Sequence, residues 1–366
     1  MKKNPLLYSF FIIIFSLAII DMVNTDKKFS ELENKKLKTE VEFTLKGFLD
    51  GSFSGNYEAY VNDQFVFRDQ WINLKSRSEC ILGKIENNNI IYGEENYLFD
   101  KLTIIDEERM VGNVKAVNKF MENTEKDVSF MIVPNSYEIY REKLPTGAPL
   151  INQQVEINKI YESTESSNNI DLLKVMSSNK EDYIYYKTDH HWTTYGAYIA
   201  YKEFVESIGE TSVNLEDLEE VRVNNFYGTY FSKAKPFNAI SDVLTYYKFE
   251  NIEMDIQGDK YNDLYNYSYL DSRDKYSMFL RGNNAITIIR NKNLTNGKRL
   301  LVFKDSFGNS MIPFLTQNFE EIHVVDLRSF MLKVNDYVKE NDFDNILIIY
   351  NLTNFSRDIN IIKLKY

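Results

Sequence analysis

Apolar and polar positions follow three different rhythms along this chain. The first is unbroken: PLLYSFFIIIFSLAII, residues 5–20, carries no charge before Asp21. That run has the length of a short membrane span or of the apolar part of a signal peptide. No small-x-small cleavage site follows it, since Ala18 is succeeded by Ile19, Ile20 and Asp21. An uncleaved anchor over residues 1–24 is therefore expected. Residues 25–105 form a second region that opens polar and rich in lysine and glutamate, as a juxtamembrane stalk would. From Tyr57 to Ile85, apolar side chains fall at helical spacing (Tyr57, Tyr60, Val61, Phe65, Trp71, Leu74, Ile81), which predicts one or two helices. NNIIYGEENYLF, residues 88–99, predicts two short strands about a turn at Gly93.

From residue 106 to 366 the third rhythm alternates strands with helices. Met110, Val114, Val117 and Met121 mark a helix, and VSFMIV (128–133) a strand stopped by Pro134. Residues 155–161 read as helix again. Thr193 or Thr194 caps a further helix carrying Ala197, Tyr201, Phe204, Val205 and Ile208. Residues 211–282 are strand-like and irregular, a β-rich insertion. The alternation then returns: LLVF (300–303) as strand, FGNSMIPFL as short helix, IHVVDL (322–327) as strand, SFMLKVNDYVKEN as helix and NILIIY (345–350) as strand. Apolar strands separated by helices predict an α/β domain whose mostly parallel sheet is covered on both faces. Ligands of such sheets sit beyond the carboxyl ends of the strands.

Composition narrows the function classes. The 43 Lys and Arg against 54 Asp and Glu leave a net charge of −11, which argues against nucleic acid as a partner. It also argues against a general electrostatic hold on anionic lipid. Cys80 is the single cysteine, so no intramolecular disulfide framework exists. Lys2 and Lys3 ahead of the apolar run favour a cytoplasmic N-terminus with the bulk of the chain outside. Lys27, Lys28, Lys35 and Lys36 follow the run, but long domains translocate largely regardless of charge. The 26 tyrosines and 25 phenylalanines serve either a well-filled core or a sugar-stacking surface.

Three predicted strand ends carry polar residues. Lys304, Asp305 and Ser306 follow LLVF, Arg328 follows IHVVDL, and Asn351 follows NILIIY. A serine between a buried strand and a helix start is exposed near helix N–H groups that stabilise negative charge. The ordinary alternatives are a capping serine, an Asp326–Arg328 surface ion pair and a turn asparagine. The stretch KTDHHWTTYGAY (187–198) holds two of the three histidines in the chain. If YIYYK (183–187) runs on extended, Asp189 and His191 share a side and His190 faces the other. The carboxylate then orients the imidazole, and the imidazole activates a hydroxyl. A buried histidine beside a core Trp192 is the plain alternative. No further His or Cys cluster supports zinc, so neither a metal nor a cofactor is expected.

TDHHWTTYGAY resembles the hallmark of the DHHW proteins, relatives of the alginate O-acetyltransferase proteins AlgJ and AlgX. Asp189, His190, His191 and Trp192 match its Asp-x-His-Trp signature, and Asp305, Ser306 and Phe307 in VFKDSFGNS match its Asp-Ser-Phe element. YVNDQFVFRDQW (60–71), IVPNSYEIYREKLP (132–145), NNFYGTYFSKA (224–234) and VVDLRSF (324–330) look similar as well, so the likeness spans about residues 28–356. The resemblance implies an SGNH-hydrolase-like, flavodoxin-like three-layer α/β/α fold in circularly permuted order, with Ser306, His191 and Asp189 as catalytic triad. The spacing departs from the Asp-x-x-His of ordinary SGNH hydrolases. The resemblance further implies acetyl transfer to exopolysaccharide hydroxyls outside the cytoplasmic membrane, with acetyl groups supplied by a membrane-bound O-acyltransferase partner. Asn351 is the expected oxyanion donor, with Arg328 or the Ser306 N–H as a second. Trp192, Tyr227 and Tyr230 are candidates for binding the glycan; the two tyrosines belong to an aromatic segment, 224–248, with Phe226, Phe231, Tyr246 and Tyr247, whose plain alternative is the core of a small β-subdomain. An acetyl esterase with the same triad, or a non-catalytic polysaccharide-binding scaffold, are the alternatives.

Overall fold

Segregated apolar runs dictate two kinds of packing here. In the computed structural model, which describes residues 4–165 and 168–366, the chain divides into two compact units. One comprises Met1–Lys84 with Ser232–Ala239, the other Ile85–Phe231 with Ile240–Tyr366.

In the first unit the apolar run forms helix α1 (Pro5–Val23), entered by a proline at its first position, where a missing N–H costs nothing. It buries none of its side chains and is long and apolar enough to cross a membrane. Lys2 and Lys3, which bear on orientation, lie outside the described residues. The polar stretch 25–60 is more ordered than a stalk. It holds a two-residue hairpin, Phe29–Ser30 against Lys35–Lys36, then α2 (Leu45–Leu49) and the start of α3 (Ser52–Gln64). Helix α4 (Arg68–Ile81) follows. Of the one or two helices expected between Tyr57 and Ile85 there are two, parted at residues 65–67.

The second unit is built on an eight-stranded sheet. Its strands are β1 (Asp127–Val133), β2 (Asn168–Ile170), β3 (Ile252–Ile256), β4 (Asp259–Tyr261), β5 (Ile286–Asn291), β6 (Arg299–Lys304), β7 (Glu321–Val325) and β8 (Asn345–Asn351). Their order is β4-β3-β5-β7-β6-β8-β1-β2. From β7 to β2 every pairing is parallel, and β3, β4 and β5 extend the sheet antiparallel beyond β7. Part of the 211–282 region thus enters the main sheet, while Glu220–Phe226 and Asp242–Tyr247 pair as a separate ribbon.

Side chains alternate across the sheet with period two. Leu301 and Phe303 join Met110, Val117 and Phe120 of α5 (Glu107–Asn123) on one face. Leu300 and Val302 join the other face, under α6 (Thr194–Ser207) and α7 (Gly308–Leu315). Both faces of β6 are therefore buried, which explains its unbroken apolar sequence. Asp106 caps α5 by accepting the Arg109 N–H at 2.9 Å, and Thr193 caps α6 through the Gly196 N–H at 3.2 Å. The helix expected from residue 329 begins only at Val334, because Asp326 first accepts the N–H groups of Ser329 and Phe330 in a turn.

Candidate active site

Strand β6 lies in the middle of the eight-stranded sheet, between β7 and β8, and Ser306 stands just past its carboxyl end. Asp305 beside it is buried and ties neighbouring elements together. Its carboxylate accepts the Phe307 N–H at 2.9 Å, the Asn351 N–H at 2.7 Å and the Asn354 side-chain amide at 2.8 Å. Burial pushes the Asp305 carboxyl up, against these bonds. The serine side chain remains partly exposed. Its N–H makes no hydrogen bond among the described residues.

Residues 183–193 meet this serine by folding back. The Thr193 N–H donates to the Ile184 carbonyl at 2.9 Å and the Tyr186 N–H to the His191 carbonyl at 3.3 Å, so no strand runs through Asp189. One Asp189 oxygen accepts the His191 N–H at 3.0 Å, an Asx turn. The same oxygen lies 2.6 Å from His191 Nδ1. The other accepts the Thr229 N–H at 2.7 Å. Burial alone would raise the Asp189 carboxyl, but the two imidazoles and these donors hold it well below the usual carboxylate range. A carboxylate only accepts, so Nδ1 carries the proton and Nε2 is left as acceptor. Nε2 lies 2.8 Å from Ser306 Oγ. The structure thus brings Asp189, His191 and Ser306 into one hydrogen-bonded line.

His190 corrects the strand reading. Its ring does not face away; it lies 3.7 Å from the His191 ring, with Nδ1 2.7 Å from Thr229 Oγ1. The turn at Asp189, not strand alternation, decides which groups meet. Asp189, His190 and His191 place ligand-type atoms within 4.8 Å of one another. The His190 and His191 nitrogens nearest the carboxylate are already engaged by Thr229 and Asp189.

Three supporting residues escaped sequence reasoning. Tyr276 stacks flat on His191, with ring centres 3.7 Å apart and planes 7° from parallel. Its hydroxyl donates to the Ser306 carbonyl at 3.1 Å. Asp242 is buried and accepts the N–H groups of Lys187 and Thr188 at 2.8 and 2.9 Å, as well as the Tyr183 hydroxyl. Gly228 lies against Asp189: a Cβ there would fall 2.2 Å from the Asp189 side chain. Of these only Gly228 carried a signal, as a glycine inside an aromatic block.

The remaining candidates sit differently from expectation. Both amide hydrogens of Asn351 are spent, on the Val133 carbonyl and on Asn135 Oδ1, each at 3.0 Å, so its side chain is not free to hold an oxyanion. Arg328 is held by both oxygens of Asp326 in a two-pronged pair, the ordinary ion pair. Trp192 is buried, and its Nε1 donates to the Phe307 carbonyl and to Ser310 Oγ at 3.0 Å. It fixes the turn after Ser306 and presents no face to a glycan. Tyr230, Phe226, Tyr246 and Tyr247 are likewise buried, since this region packs into the core. Tyr227 and Phe231 stay half-buried, under the Arg273 guanidinium at 4.7 and 4.6 Å.

A mostly parallel α/β sheet with a serine past a middle strand, and a histidine brought to it by a separate loop, is an arrangement in which a base can activate a hydroxyl. Residues 95–325 match the family described as DHHW protein, and the chain belongs to that family. No curated protein matches it. Among solved structures it is similar to a DHHW family protein from Eubacterium siraeum, at 25% identity and a TM-score of 0.66, over 77% of this chain and 96% of that one. It is also similar to Bacillus cereus PatB1 carrying a sulfonyl adduct, at 22% identity and a TM-score of 0.63, over 76% of this chain and 98% of that one. The PatB1 likeness is one of fold.

Proposed function

We propose that the chain is an extracytoplasmic O-acetyltransferase that passes an acetyl group through Ser306 to exopolysaccharide hydroxyls. The carrying observation is the line from Asp189 through His191 to Ser306, with separations of 2.6 and 2.8 Å. His191 Nε2 takes the Ser306 proton as Oγ attacks the carbonyl carbon of an acetyl ester. The tetrahedral oxyanion is held by the Ser306 N–H, a donor worth ~3 kcal/mol in such sites. Collapse breaks the bond to the donor oxygen, which leaves with the proton from His191, and Ser306 is acetylated. A sugar hydroxyl then gives its proton to Nε2 and attacks the acetyl-serine; the bond to Oγ breaks, and Ser306 leaves with that proton from His191. Asp189 stays ionised throughout and stabilises the imidazolium. The partly exposed serine is consistent with an acceptor that arrives as a polymer, and α1 with a chain held at the membrane, its second unit outside. A membrane-bound O-acyltransferase is the partner that would supply acetyl groups.

The test offers the purified chain an acetyl ester and an oligosaccharide acceptor, and follows acceptor mass. One acetyl unit gained per acceptor, lost in Ser306→Ala together with labelling by a sulfonyl fluoride, is the expected result. Ester cleavage without acceptor gain would make the protein an acetyl esterase. Neither cleavage nor labelling in the native chain would leave a binding or scaffold component.

A further inference from the structure

The end of α1 is fastened to the corner between α3 and α4. Asp21 Oδ1 accepts the Val66 N–H at 2.8 Å. Gln64, the last residue of α3, accepts the Lys27 N–H at 2.8 Å and donates to the Lys27 and Lys38 carbonyls at 2.9 and 2.8 Å. Asp21 is two residues from the end of the helix, so the corner lies within its last turn. The rings at this corner point outward: Phe65, Phe67 and Trp71 are 36, 50 and 44% exposed. Trp71 Nε1 turns back to the Val66 carbonyl at 3.1 Å, which satisfies the indole N–H inside the unit and leaves its apolar body outside.

Phe67 adds a second observation. Its φ is 58°, a left-handed conformation costing a non-glycine residue roughly 1–2 kcal/mol. Strain retained at an exposed aromatic points to a use for that ring. In water three bare rings are unfavourable. At the level where an apolar helix leaves a bilayer, tryptophan and its like are favoured, because the headgroup layer accepts both an apolar body and a polar tip. Lys35 is paired with Asp63 and Arg68 with Glu33, and raised salt in the test below separates any hold by the exposed Lys27, Lys28 and Lys36 from a hold by the rings.

We propose that Phe65, Phe67 and Trp71 form a collar that inserts into the extracytoplasmic headgroup layer of the membrane where α1 emerges. The first unit is then a seat on the lipid surface. This rests on the reading of α1 as a retained anchor. The test uses the full chain in phosphatidylcholine vesicles, with plain or dibrominated acyl chains, and reads tryptophan emission. The sequence holds two tryptophans, Trp71 and Trp192, and Trp192 is fully buried. Brominated lipid should quench the native chain. Trp71→Phe should remove that quenching, Phe67→Ser should weaken it, and raised salt should leave it unchanged. If the chain floats with the vesicles but bromine does not reach Trp71, the collar is overturned while the anchor stands. If the chain does not float, both fall.

Discussion

Asp189→Asn tests the residue that orients the imidazole. The amide keeps the shape but offers Nδ1 a donor as readily as an acceptor, so the wrong tautomer is admitted. Turnover should fall by about 10³–10⁴-fold, with the circular dichroism spectrum unchanged. His191→Ala should abolish turnover, whereas His190→Ala should leave much of it, because only His191 Nε2 reaches Ser306. Equal losses in initial-rate assays would show that the stacked pair acts as a unit. Tyr276 stacks on the ring that gains charge during the reaction, an arrangement worth about 0.5–2 kcal/mol to a cation. Tyr276→Leu should therefore slow turnover by about 2- to 30-fold, and Tyr276→Phe should restore most of it. Lys304 carries a different signature. Burial brings its ammonium down to about 8, against a raising pull from Asp326. Between about 8 and the ordinary 10.5 the unfolded chain keeps a proton that the folded chain has lost. Unfolding free energy should consequently rise with pH across that window, by at most ~1.4 kcal/mol per unit. Urea midpoints should show the slope in the native chain and a smaller one in Lys304→Met.

At the scale of elements, the loop carrying Asp189 is held from outside itself. Asp242, at the start of a ribbon strand, accepts two N–H groups of that loop, that of Thr188 buried and that of Lys187 partly so. Asp242→Ala strands them at about 1–3 kcal/mol each, and the expected fall in the urea midpoint should accompany a loss of turnover. This clamp was not legible in the sequence, because nothing local marks an aspartate 55 residues from the N–H it holds. Strands β6, β7 and β8 were legible, since burial on both faces leaves an unbroken apolar run that no turn can imitate. The pairing of Asp189 with His191 was also foreseen, though by the wrong route. Strand parity and an Asx turn both bring positions i and i+2 together, but only the turn brings His190 along. The aromatic segment misled for a related reason: Tyr230 and Trp192 have the composition of a sugar platform, and the density of rings around them turns both inward.

Across the whole molecule, the residues of the candidate site all belong to the second unit, and α1 belongs to the first. Deleting residues 1–24 should release the chain from membranes, as fractionation would show, while small acetyl esters are still cleaved. Polymer acetylation in cells should drop in the same variant, since the proposed acetyl supplier sits in the membrane. The separation of 115 positions from His191 to Ser306 has a temporal meaning too. Between them the chain threads three strands onto the far edge of the sheet before β6 takes its central place. With α1 held in the membrane, a chain that crosses from residue 25 onward, as proposed above, delivers its base long before its nucleophile. On that proposal the site stays incomplete until translocation is nearly finished, and no half-built enzyme squanders activated acetyl groups on water.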